Sequence, residues 1–174
     1  MYADDVQLYA CSLPPNVPSL LSLLSNCVTD VKTWMTQNKL MLNDDKTEIL
    51  LFNTADNEPT NMNHIAIGNE MVSLSTNARN LGVIFDNKLS LKHHINNLCK
   101  ILYLEIRRIS QLSNYLDNNS LKVLISAFVF SRIDYCNSLL INLPADLLSK
   151  LQRIQNSAAR LVFKKSKREH ITPL

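Results

Sequence analysis

Glycine is almost missing from this sequence, with two residues in 174. Tight loops must therefore rely on Asn, Asp, Ser and Pro, which hold turns through side-chain hydrogen bonds or a fixed φ. No apolar run approaches the roughly 18 residues of a membrane span, so no membrane partner is expected. No secretory leader is evident, because Asp4 and Asp5 stand where a basic segment would be. Cys11, Cys27, Cys99 and Cys136 form no CxxC pair and have no His doublet at finger spacing. That argues against a zinc site and for reduced, mostly buried thiols without disulfide partners. These absences fit an intracellular protein, nuclear or cytoplasmic, and not a secreted one.

Hydrophobic residues make up 46%, enough for one large core or two small ones over this length. The net charge of +3 hides an asymmetry. Residues 1–90 carry five Lys/Arg and ten Asp/Glu; residues 91–174 carry thirteen and five. An acidic front and a basic back imply two functional parts, the second facing something anionic.

The front opens on Tyr2-Ala3-Asp4-Asp5, followed by Val6-Gln7-Leu8-Tyr9, whose composition suits a strand. Ala3-Asp4-Asp5 then reads as a hairpin tip. Two adjacent carboxylates repel, and a divalent cation relieves that repulsion. The pair is thus either half of a two-metal phosphoryl-transfer site or a solvated turn. Pro14, Pro15 and Pro18 delay a helix until about Ser19, a plausible N-cap. From there Leu20, Leu24, Cys27, Val28, Val31, Trp34 and Met35 recur at helical spacing, with Trp34 read as core. Ile49–Phe52 reads as a buried strand, and His64–Leu74 as a hairpin turning at Gly68-Asn69. Asn80–Asp86 reads as a further strand.

After Ser90 the pattern is helical. Leu91, Ile95, Leu98, Leu102, Ile106, Ile109 and Leu112 form one stripe, while Lys92, Lys100, Tyr103 and Arg107 fall within about 80° on another face. A second helix from about 118–120 is apolar nearly all round over Leu121–Phe130 and reads as the buried centre of a bundle. Pro144 opens a third helix, with Leu147, Leu151, Ile154, Ala158 and Leu161 inward and Lys150, Arg153, Arg160 and Lys164 outward. The basic stripes are either solvated faces or phosphate contacts; Tyr103 among cations favours nucleic acid. Lys164–Arg168 reads equally as helix capping, phosphate contact or a nuclear import signal. His93-His94 and His170 receive no catalytic task.

The order of these pieces resembles the reverse transcriptase of LINE-type (non-LTR) retrotransposons. Tyr2-Ala3-Asp4-Asp5, the Trp34 helix, Leu42–Glu48 and Asn80–Asp86 carry the resemblance, together with Ser131–Leu140 and Gln155–Leu161 further on. It spans essentially the whole chain. It implies an α+β fold: a small antiparallel sheet with a packed helix over 1–89, the end of a polymerase palm, then an all-α thumb over 90–174. It implies that Asp4 and Asp5 are catalytic and bind Mg²⁺. Lys46 would act near the triphosphate, although a lysine in such a turn is also an ordinary surface ion pair. Leu81-Gly82-Val83 would belong to a primer-gripping hairpin, although Gly82 also suits a simple bulge.

An RNA template and a DNA primer are the implied partners. The nucleic-acid contacts would be Lys92, Lys100, Tyr103, Arg107, Lys150, Arg153, Arg160 and Lys164. The family carries fingers, a nucleotide pocket and another metal-binding aspartate before the Asp-Asp hairpin. A chain starting one residue before Tyr2 is therefore expected to bind Mg²⁺ poorly and to have no polymerase activity by itself. A helical module that binds nucleic acid or protein without catalysis is the other reading.

Overall fold

The structure is a computed structural model that describes residues 6–43, 46–52, 64–67, 70–166, 169 and 171. The chain divides into two compact units, Met1–Ala78 and Arg79–Leu174. The architecture is α+β. The division falls earlier than 89/90, so a strand pair belongs with the helices and the second unit is not all-α.

In the first unit, helix α1 spans Val17–Gln37 after a 3₁₀ turn at Pro14–Asn16. It starts before Ser19, because Pro18 sits in the first turn, where a missing N–H costs nothing. Asn16, not Ser19, occupies the cap position. Strands β1 (Ile49–Leu50), β2 (His64–Ile67) and β3 (Glu70–Ser75) form a sheet in the order β1-β3-β2. β2 and β3 pair antiparallel, as the hairpin reading required. β1 instead runs parallel to β3 over two residue pairs, so the sheet is mixed, not purely antiparallel.

α1 lies against β2, but none of its residues is buried. Trp34 sits at the margin of the apolar stripe and is 57% exposed, contrary to its reading as core. Val6–Tyr9 form no strand and are exposed, and Leu51 and Phe52 are exposed beyond the short β1. Asp4 and Asp5 lie outside the described residues.

The second unit begins within a hairpin. The stretch expected as one strand is two, β4 (Asn77–Asn80) and β5 (Val83–Asp86). Leu81 (φ 45) and Gly82 (φ 88) turn between them. Two consecutive positive φ values define the turn that matches strand twist, normally Asn-Gly. Tyr135 secures this tip: its hydroxyl donates to the Leu81 carbonyl at 2.7 Å.

Asp86, 5% exposed, closes the other end. Its Oδ1 accepts from the backbone N–H of Lys88 (3.1 Å) and Ser90 (3.0 Å), and its Oδ2 from the Ser90 hydroxyl (2.9 Å). Burial pushes this carboxyl up, but the bonds from Ser90, Lys88 and Leu91 outweigh it and hold the group below its ordinary range. They also fix a loop in which Leu89 and Leu91 both take positive φ.

Helix α2 (Lys92–Leu112) is the centre of the unit. Ile95, Leu98, Cys99, Leu102, Ile106 and Ile109 are buried along it, as its stripe implied, whereas Leu112 is 53% exposed. α3 (Asn118–Ile125) starts at an Asp117 cap whose carboxylate accepts from the N–H of Asn119 and Ser120. It continues through a π-helical segment, Ser126–Phe130, into α4 (Ser131–Asp134).

This helix is not apolar core all round: Val123 is 65% and Phe128 44% exposed. Its buried residues are Leu121, Ile125, Val129 and Ile133, a strict four-residue repeat. In an α-helix such a repeat overshoots by about 40° per step. The wider π turn corrects the drift and keeps all four on one face. α5 (Ala145–Val162) buries Leu147, Leu151, Ile154, Ala158 and Val162 against α2 and α3; Leu161 is only half-buried.

The Leu81-Gly82 turn makes a sharp prediction. Leu81→Asn relieves a strained left-handed residue that is 46% exposed and should stabilise the protein by about 1 kcal/mol. Gly82→Ala should cost about as much; a Cβ there would meet Tyr135 only at an ordinary 3.8 Å, so the cost is conformational. Urea midpoints at unchanged m-value test both.

Candidate nucleic-acid interface

The buried stripes fix which faces of α2 and α5 meet solvent. On α2, Lys92, Lys100, Tyr103 and Arg107 share a face that also holds Asn96. All five are exposed, Tyr103 at 45%. On α5, Lys150, Arg153 and Arg160 occupy a face on one side of that helix's buried stripe, and Lys164 follows its end. One hydrogen bond relates the two helices: Lys150 Nζ donates to Asn96 Oδ1 at 2.6 Å. The two basic faces therefore flank the same side of the α2–α5 seam. Lys150 also lies near the buried Cys99, whose thiol burial pushes up while the ammonium opposes it.

The opposite flank of α2 is different. There Glu105 pairs with Arg108 at 3.3 Å and with Arg132 of α4 at 3.9 Å. Two cations on that side share one carboxylate within the fold. Among the described residues, Lys92, Lys100, Arg107, Arg153 and Lys164 have no such pairing. The eight expected contacts therefore fall into two groups. Lys150 and Arg160 are tied internally, Arg160 through Nε to the Glu169 carbonyl at 3.3 Å. Tyr103 and the remaining five stand open to solvent. Over Arg79–Leu174 there are fifteen Lys/Arg against six Asp/Glu, a net +9. A surface of this sign attracts polyanions, and an exposed aromatic among its cations can stack a base.

Of the expected catalytic residues, only Lys46 is among those described. Lys46 is exposed and its N–H donates to Asn43 O at 3.1 Å; its neighbours Asp44 and Asp45 lie outside the described residues. Among the described residues no group of three or more His, Cys, Asp and Glu side chains is arranged to hold a metal. The Mg²⁺ expectation rests on Asp4 and Asp5, which are not among them. All four cysteines are free, but only Cys99 is buried; Cys11 is exposed and Cys27 and Cys136 are half-buried. No helix among the described residues is long and apolar enough to cross a membrane.

His94, given no task by its sequence context, has a structural one. Its Nδ1 accepts the Ile84 N–H of β5 at 3.4 Å, fastening the hairpin to α2. Sequence signals for this are lacking, since the partner is a backbone group ten residues away.

No protein-family model, curated protein or solved structure matches this chain. Its function is read from its own residues.

Burial, and then the charge of Arg79, lower the His94 pKa from 6.5. The unfolded chain thus binds the proton more readily than the folded one. Stability from this site is complete above about pH 6.5 and declines as pH falls through the window below it. Urea midpoints measured across that range should drop more steeply for the parent than for His94→Gln.

Proposed function

We propose that this chain is the C-terminal palm and thumb portion of a LINE-type reverse transcriptase, and that its helical unit holds the template–primer duplex. The order of the sequence motifs supports the family reading. The observation that carries the binding role is the α2–α5 seam, where Lys92, Lys100, Arg107 and Arg153 are exposed beside Tyr103 with no ion pair among the described residues.

In this reading Asp4 and Asp5 would hold Mg²⁺ in the intact enzyme, where the ion would supply charge neutralisation at the transferring phosphoryl group. Lys46, solvent-exposed and unpaired among the described residues, is available to meet a triphosphate. The helices track the duplex backbone through charge and thus bind with little sequence preference.

A module that binds nucleic acid without catalysis is favoured by a separate observation. Every buried residue among those whose burial is described lies between Val83 and Ile171, so the binding face is built on the core of the second unit. Primer extension on an RNA template with Mg²⁺ separates the readings. Incorporation lost in Asp4→Asn and Asp5→Asn makes the chain a polymerase; duplex binding without incorporation leaves the module.

Binding itself should weaken linearly in log affinity against log salt. Replacing Lys100, Arg107 and Arg153 together by Gln should flatten that slope by about 2 to 3 units, near 0.9 for each phosphate no longer neutralised. Replacing Lys150 and Arg160 should flatten it less per residue, because both already have partners inside the fold. No binding at low salt would end the nucleic-acid reading.

A further inference from the structure

The basic end of α5 is occupied by the protein's own chain. Lys164 takes a left-handed conformation (φ 52). Its N–H donates to Leu161 O and that of Lys165 to Arg160 O, the Schellman arrangement that stops a helix. Glu169 lies against this helix end. Glu169 Oε1 accepts the Ser166 N–H at 3.0 Å, its Oε2 lies 3.1 Å from Lys165 Nζ, and its carbonyl accepts Arg160 Nε at 3.3 Å. Two residues on, Ile171 is 6% exposed and anchors the tail. One residue thus contacts two cations and a backbone donor at the end of the basic seam.

We propose that Glu169 is a built-in competitor of nucleic-acid phosphate, a carboxylate clasp that covers the α5 end of the basic seam until a polyanion displaces it. This rests on the nucleic-acid reading given above. A carboxylate and a phosphate offer cations and N–H groups the same acceptor chemistry. The Ser166 N–H first, then Lys165, hold the Glu169 carboxyl below its ordinary range, so it stays charged through neutral pH. The Lys165–Glu169 pair is exposed on both sides, and such pairs hold weakly. The clasp therefore yields to a stronger anion. The anchored Ile171 keeps the competitor at high local concentration, so an incoming phosphate always meets it. Displacement of the carboxylate frees Lys165, whereas Arg160 stays on the Glu169 carbonyl unless the backbone moves too.

The test is anisotropy of a short labelled RNA–DNA duplex with the full chain over a salt series. Glu169→Gln keeps an acceptor for Ser166 but removes the charge. It should bind several-fold tighter at low salt, with a slope steeper by about 1 unit. Ile171→Ser, which frees the anchor, should shift affinity the same way. Glu105→Gln makes an equal change in net charge on the other flank of α2 and should tighten binding less. Parent-like affinity in Glu169→Gln, or equal gains in Glu169→Gln and Glu105→Gln, would overturn the clasp while leaving nucleic-acid binding intact. Failure of both parent and Glu169→Gln to bind the duplex would overturn both.

Discussion

The buried seam of α2 governs the second unit. Ile95, Leu98, Leu102, Ile106 and Ile109 face α3 and α5, and each buried side chain of this size contributes about 1.5 to 3 kcal/mol. Rotating the helix to hide another face would forfeit most of that. The basic residues therefore do not choose their orientation; the apolar residues choose it for them. The same packing sets α4 and its Arg132 on the flank that holds Glu105, and α5 with Lys150 on the flank that holds Asn96. On one side of α2 a carboxylate partly offsets the cations, and the other side is open. The contrast with the first unit is physical. There α1 rests on a three-stranded sheet without burying any residue, so its apolar stripe is only half covered.

The hairpin shows how a small element is held without much apolar area. Asp86 closes its base, the His94 ring accepts a strand N–H, and the Tyr135 hydroxyl donates to a carbonyl at the tip. These are polar fastenings at three points along β4 and β5, backed by the buried Val83. They are directional, so they fix position as well as attachment.

Much of the second unit was legible because its stripes have a single period. The α2 and α5 cores, and a helix start near residues 118–120, follow from spacing and composition alone. The expected exposure of Lys100, Arg107 and Arg153 follows from the same stripes. What was not legible depended on neighbours. Val6–Tyr9 has strand composition, but composition cannot supply a pairing partner. Leu81 carries no turn signal, since Leu is a poor left-handed residue; only Gly82 hinted at the hairpin. The apolar run over Leu121–Phe130 implied full burial, yet only its four-residue repeat is fully covered, with Leu124 and Phe130 half-buried beside it. Lys150 and Arg160 look like their free neighbours until the fold brings Asn96 and Glu169 to them.

The π-helical segment at Ser126–Phe130 has a bearing on which changes the chain can accept. It acts as a phase corrector between Leu121 and Ile133. Removing one residue from it would let the backbone return to ordinary α geometry with downstream residues still in phase, whereas adding one nearby would swing everything downstream by about 100°. Ile133 would leave the core and the Tyr135 ring would turn from the hairpin tip it secures. Substitutions at exposed Ala127 or Phe128 disturb neither contact. In this stretch, then, an added residue is more damaging than a replacement, and a single deletion is the length change the helix can absorb.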